Sequence, residues 1–251
     1  VGLTDLIIES SEMEAPRILF HGAEGSGKTT LVAGIPDSLM IPTEDGFGNL
    51  KVRRLPLVTS YDTLMDYLAA VRAGEAGQLS ALVIDSVTKV VDLIYKKVCQ
   101  SGSVASIEFF GGGYGKGYKR AAEIIRTDFL PMLDDIKANG VAIVLTGHSK
   151  VERFEDPEHP AYDRMTLRLD KDCAAAILEW CDVVGHVTRK IILRQTDSKI
   201  GKRNMAAPSG KDGSDRILRV VGSPSCVAKN RYGIADDLPL EWEALVKAMG
   251  L

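Results

Sequence analysis

The 251-residue chain is short of several things, and each shortage removes a class of protein. Its four cysteines, Cys99, Cys173, Cys181 and Cys226, show no C-x-x-C spacing. They read as reduced, mostly buried thiols of a cytosolic protein rather than a disulfide framework. Cys181 and His186 are the only close Cys/His pair, and a pair alone does not make a tetrahedral zinc site. No apolar run is long enough to span a bilayer. The N-terminus, which begins at Val1, carries no basic-then-apolar targeting pattern. Charge of one sign is scarce too, since 31 Lys and Arg against 34 Asp and Glu leave a net charge of -3. Any nucleic-acid contact must therefore come from local patches. Internal repeats are missing. What remains is a chain that is 45% hydrophobic, enough for one sizeable core.

Gly22-Ala23-Glu24-Gly25-Ser26-Gly27-Lys28-Thr29 fits the phosphate-loop pattern G-x-x-x-x-G-K-[ST] at every fixed position. Arg17-Ile18-Leu19-Phe20 before it reads as a buried strand, and Thr29-Thr30-Leu31-Val32-Ala33 as the start of a helix. The chemistry needs that order. Glycines let backbone N–H groups converge on a phosphate, and the helix start adds partial positive charge. Lys28 would reach the β- and γ-phosphates of ATP, Thr29 would bind Mg²⁺, and the loop as far as Thr30 would cradle the nucleotide.

Further along, strand-like and helix-like segments alternate. Strands are predicted at 38–42, 81–85 and 141–146. Helices are predicted at 61–72 behind a Ser60 cap, at 88–99, and at 117–137 with Pro131 kinking or splitting the last. Residues 151–170 read as a polar connection, and 172–180 as a short helix. Strand-like runs at 183–193 and 216–221 flank a loop or mobile hairpin tip centred on 197–215. A last helix is predicted at 240–249. The βα alternation implies a mainly parallel twisted sheet flanked by helices, with antiparallel strands added near the C-terminus.

Leu82-Val83-Ile84-Asp85-Ser86 has Walker B form, and Asp85 would hold Mg²⁺ alongside Thr29. Glu44 ends the preceding strand. It reads either as a carboxylate that orients the attacking water or as a solvated acid in the Asp45-Gly46 turn. His148 follows the 141–146 strand and reads either as a γ-phosphate sensor or as a surface histidine. Tyr114, Lys116, Tyr118, Lys119 and Arg120 interleave aromatics and cations on a glycine-rich loop. That pattern suits stacking and phosphate contact on single strands, or simply a solvated loop. Residues 150–171, with Arg153, Arg164 and Arg168, and residues 199–211 are two further cation-bearing stretches. Lys229 and Arg231 flank Asn230 on a short turn that could enter a neighbour's phosphate site.

In this order the motifs resemble those of RecA-like core ATPases. The match is closest to a phage-encoded family of small nucleotide-binding proteins that includes single-strand annealing proteins, and it runs from about Pro16 to Trp242. The resemblance implies a lead-in at 1–15 and a single RecA-like P-loop NTPase domain at 16–251. It implies ATP and Mg²⁺ as cofactors and a catalytic set of Lys28, Glu44, Asp85, His148, Lys229 and Arg231. Lys229 and Arg231 would act in trans within a homo-oligomer, a ring or short filament. It also implies contact with single-stranded DNA, a single-strand binding protein as a candidate partner, and the cytoplasm of a bacterial host cell as location, with no membrane. His148 stands where recombinases more often carry Gln. The N-terminal oligomerisation segment of full recombinases has no counterpart, so a long filament is not expected. A ring-forming helicase-like motor and a nucleotide-gated recruiting module with little hydrolysis are the alternatives.

Overall fold

The computed structural model describes residues 14–198, 201–209 and 215–251, and side chains outside 192–208. The first part of the chain runs β1 (Arg17–Gly22), α1 (Lys28–Ala33), β2 (Ser38–Pro42), α2 (Tyr61–Arg72), β3 (Ala81–Asp85) and α3 (Val87–Ser101). A 3-10 turn (Ile107–Gly112) leads into α4 (Lys116–Ile124), a π-helical turn (Ile125–Phe129), α5 (Leu130–Lys137) and β4 (Ala142–Phe154). There follow β5 (Tyr162–Leu167), α6 (Lys171–Trp180), β6 (Val183–Arg189), β7 (Ile191–Ser198) and β8 (Gly201–Pro208). The chain closes with β9 (Arg216–Arg219), β10 (Lys229–Asn230), β11 (Leu238–Pro239) and α7 (Trp242–Met249).

The main sheet has the order β11-β9-β6-β1-β4-β3-β2. Its five central strands, β6 to β2, are parallel, and β9 and β11 extend it antiparallel. This is the mainly parallel α/β sheet with late antiparallel additions that the alternation predicts. Side chains leave a strand alternately to either face, and this sheet is buried on both. Leu19, Ile41, Leu82, Ile84, Ile143 and Leu145 point into a core shared with α2 to α6. Ile18, Phe20, Met40, Val83 and Val144 point the other way, against Leu31 and Val32 of α1 and Leu245 and Met249 of α7. Each fully buried aliphatic side chain stabilises the fold by about 1.5–3 kcal/mol before entropy is counted. Together they fix which strand ends share the upper edge.

Three local expectations change. The helix predicted at 117–137 is interrupted, but by a π-helical turn just ahead of Pro131. Leu130 N–H donates to Ile125 O, five residues back, because proline cannot supply a regular bond at the next step. The polar stretch at 151–170 contains a hairpin, since β4 continues to Phe154 and β5 pairs back on it from Ser149↔Leu167 to Phe154↔Tyr162. The Phe154–Tyr162 ring pair at 5.4 Å and Arg164 stacked 4.0 Å over Phe154 explain why so polar a segment zips up. Of the two readings of the stretch centred on 197–215, a loop or a hairpin tip, the hairpin holds but starts earlier, with β7 and β8 paired from Ile191↔Pro208 to Ser198↔Gly201. Positions 1–13 of the lead-in, and 199, 200, 210 and 211 of the third cation-bearing stretch, lie outside the described residues.

Candidate active site

The C-terminal ends of β1, β2 and β3 converge beside the Leu145–His148 stretch of β4 because the sheet is parallel there, and ligands of open α/β sheets bind at that edge. β1 ends at Gly22, opposite Val187 on one side and His148 on the other. A Cβ on Gly22 would strike the Val187 carbonyl, so the loop can leave the sheet here only as glycine. Gly25 (φ 69°) and Gly27 (φ 107°) take left-handed backbone, which curls the loop around the start of α1. Lys28 is buried, and its Nζ donates to the loop carbonyls of Gly22 (3.0 Å) and Ala23 (2.9 Å). Burial pushes its pKa down, while Asp85, Glu44 and Glu24 oppose that shift. Two of the three ammonium donors are thus held by the loop, and the third is left for a phosphate.

Thr29 Oγ1 donates to Asp85 Oδ2 at 2.8 Å, and Thr146 Oγ1 donates to Asp85 Oδ1. The Walker B carboxylate is therefore aimed at the phosphate loop by hydroxyls from α1 and β4. Thr29 and Asp85 are hard oxygen donors, the set that suits Mg²⁺. Among the described residues no group of three or more His, Cys, Asp or Glu could hold a metal ion on its own.

The end of β2 is fastened to the end of β3 by Thr43. Its Oγ1 accepts from Ser86 N (2.7 Å) and donates to Ser86 O (2.8 Å), and its N–H donates to Asp85 O (2.8 Å). The next residue, Glu44, is thereby set beside Asp85. His148 Nε2 lies 3.1 and 3.3 Å from the two Glu44 carboxylate oxygens. This hydrogen bond lowers the Glu44 pKa against the opposing effect of partial burial. His148 is itself fixed, since its N–H donates to Thr88 Oγ1 at 3.0 Å. Its Nδ1 is buried with no partner among the described residues. Lys28, Thr29, Glu44, Asp85 and His148 line one cavity of about 550 Å³, a size that admits a nucleotide.

The structure does not bring every candidate residue here. Lys229 and Asn230 pair with Val184 and Val183, at the start of β6 and the opposite end of the sheet from the loop. Lys229 Nζ donates to Glu179 O at 3.1 Å, and Arg231 pairs with Asp182 at 3.0 Å. Neither can reach the cavity of its own chain. On the glycine-rich loop Tyr114 is 96% exposed, with left-handed backbone at φ 54°. Tyr118 is half-buried and lies edge-on to Tyr95 at 5.5 Å. The second exposed aromatic of this region is Phe109, at 66%. Lys116 donates back to Gly111 O (2.9 Å), Lys119 is exposed, and Arg120 pairs with Glu123 (2.7 Å). Arg153 pairs with Asp163 across the β4–β5 hairpin at 3.5 Å.

Two arginines of the cavity were not foreseen there, Arg168 and Arg216, and neither was Lys89 of α3. Arg168 follows β5, and its N–H donates to His148 O at 2.8 Å. Arg216 opens β9, and a Cβ on Gly27 would meet its Nη1 at 2.6 Å. Both arrive through antiparallel pairings, which no spacing from the phosphate loop could reveal.

No curated protein matches the chain. Among solved structures, a KaiC-like protein from the hyperthermophilic archaeon Pyrococcus horikoshii OT3 is similar over 90% of this chain and 85% of its own, with 14% identity and a TM-score of 0.43. The AAA domain family matches residues 14–232. With a phosphate loop, a Walker B acid and a match over most of its length, the chain belongs to the AAA domain family of P-loop nucleoside triphosphatases.

Proposed function

We propose that this protein hydrolyses ATP and acts on single-stranded DNA as a homo-oligomer that promotes annealing. The observation that carries the ATPase reading is the Glu44–His148 pair, set in the same cavity as Lys28 and the Thr29–Asp85 contact. Backbone N–H groups of residues 22–30 and Lys28 bind the phosphates and hold the terminal phosphoryl group for attack. Thr29 and Asp85 would hold Mg²⁺, which would supply positive charge to offset the charge that develops on the phosphates. Glu44, ionised and steered by His148, orients the attacking water. His148 heads the β4–β5 hairpin, so loss of the γ-phosphate is passed to that hairpin. Lys229 and Arg231 complete a neighbour's site.

Exposed Tyr114 and Phe109, with Lys116, Lys119 and Arg120 close in sequence, support a single-strand contact on the glycine-rich loop. Arg153 on the hairpin adds a phosphate contact, and a single-strand binding protein is a candidate partner on the same DNA. The test is ATP turnover with and without single-stranded DNA at low and at moderate salt. Stimulation that fades as salt rises is the expected result. Turnover indifferent to DNA at low salt would remove the DNA role. ATP binding without turnover would favour a nucleotide-gated recruiting module, and strand unwinding without annealing would favour a ring motor.

A further inference from the structure

The cavity contains more positive charge than the phosphate loop accounts for, since Lys89, Arg168 and Arg216 also line it, and Arg168 is tied to the residue that steers Glu44. The Arg168 N–H is bonded to His148 O, the residue that steers Glu44. Its Nη1 lies 3.7 Å from Glu24 Oε1, across the mouth of the loop. That ion pair is loose and solvated, with 45% of the arginine and 78% of the glutamate side chain exposed. Such a pair contributes little and is easily exchanged. A terminal phosphate offers a planar guanidinium two oxygens and more charge than one carboxylate. Arg168 is also close enough for its charge to act on buried Lys28.

We propose that Arg168 is a γ-phosphate contact supplied in cis, which leaves Glu24 for the terminal phosphate when ATP, but not ADP, is bound. This rests on the nucleotide-binding reading above and deepens it. One residue then tells the two nucleotides apart. Its backbone bond to His148 and its place directly after β5 carry the difference into the β4–β5 hairpin. Arg231 belongs to the other end of the sheet, so the two arginines would serve the same phosphate from different subunits.

The test compares ATP and ADP affinities of the parent and Arg168→Gln, read with fluorescent nucleotide analogues at fixed Mg²⁺. A lost charge-assisted contact weakens ATP by roughly ten- to a hundredfold. ADP binding stays within about twofold, which doubles as the folding control. Glu24→Gln separates a ligand role from a structural one. If Arg168 serves the phosphate, removing its competitor tightens ATP; if the ion pair merely shapes the loop, both variants weaken ATP alike, and the proposal falls. Mixing R168Q with excess Lys28→Ala subunits restores no turnover if the arginine acts in cis, and restoration would overturn that assignment. A parent that binds neither nucleotide defeats the nucleotide reading itself. A parent that binds both, with an R168Q variant that keeps the same ATP-to-ADP ratio, defeats only the role of Arg168.

Discussion

Glu44 and His148 show how a single hydrogen bond can decide a residue's task. Their side chains meet although they stand 104 positions apart. An acid before Asp45-Gly46 could equally have been solvated, and only the Thr43 clasp on Ser86 turns it inward. If this carboxylate orients water, Glu44→Gln lowers kcat by about a hundredfold or more while ATP affinity is kept, because amide and carboxylate fill the same space. Unchanged single-turnover rates would remove Glu44 from the mechanism. A second residue-scale effect lies behind the loop. His21 is buried between Ser149 Oγ (2.9 Å) and Val227 O (2.7 Å), with the His186 ring 5.0 Å away. Burial, helped by His186, pushes the His21 pKa down to about 4. Burial and Arg219 likewise push His186 down to about 4, with Asp237 opposing. The unfolded chain takes up these protons near pH 6.5 and the fold resists them until about pH 4. Stability is therefore fully present above pH 6.5 and is lost as the pH falls toward 4. Between pH 7 and 5 each histidine accounts for a loss on the order of 2 kcal/mol. The melting temperature should drop several degrees over that interval, and less in His186→Asn. Parallel profiles for parent and variant would show that the buried pair does not drive the acid sensitivity.

At the scale of elements, the segments legible in the sequence are those whose signal is local. Ser60 caps α2 by accepting from Thr63 N at 3.1 Å, as the Ser-then-apolar pattern predicts. Ser60→Ala should cost about 1 kcal/mol, or roughly 2–4 °C in melting temperature, with nucleotide binding unaffected. A variant as stable as the parent would mean that water replaces the cap. The phosphate loop and the apolar strand ending at Asp85 are equally local. The β4–β5 hairpin was not legible, because Ser149 to Phe154 carries only one apolar residue on each face, Val151 and Phe154, and is held as a strand by what β5 places opposite. For the same reason Arg164 and Arg168 could be seen as cations in the sequence but not assigned a place. The π-helical turn at Ile125–Phe129 was legible only as a defect at Pro131. α3 adds a link that spacing hides. Its first turn carries Thr88, bonded to His148 N, and farther along it carries Tyr95, against which Tyr118 of the glycine-rich segment packs. A rigid helix thus joins the reacting edge to the segment that bears Tyr114.

For the whole molecule, the sheet holds at opposite ends the phosphate loop and the Lys229–Arg231 turn, which the proposed mechanism brings together. The phosphate loop leaves the C-terminal end of β1, whereas Lys229 and Arg231 sit beside the start of β6. No side chain spans a sheet lengthwise, so a finger from this turn reaches a phosphate only in a second subunit stacked head to tail. Such contacts close into a ring or run on as a short filament. Arg231 is held to Asp182 by an ion pair in which the arginine is mostly exposed and the carboxylate largely buried, so a neighbour's phosphate must compete with Asp182, which keeps the Arg17 N–H as a second partner. Three results follow if this is how the site is completed. Turnover per subunit rises with protein concentration. Arg231→Ala loses most of it, by about a hundredfold or more, with ATP affinity far less affected. Adding Lys28→Ala subunits, which cannot bind ATP but carry an intact Arg231, then restores part of the R231A rate. Arg168→Gln gains nothing from the same mixture. If turnover is independent of concentration and R231A keeps the parent rate, each chain completes its own site, and Arg168 and Arg216 are then the only arginines among the described residues positioned to assist it.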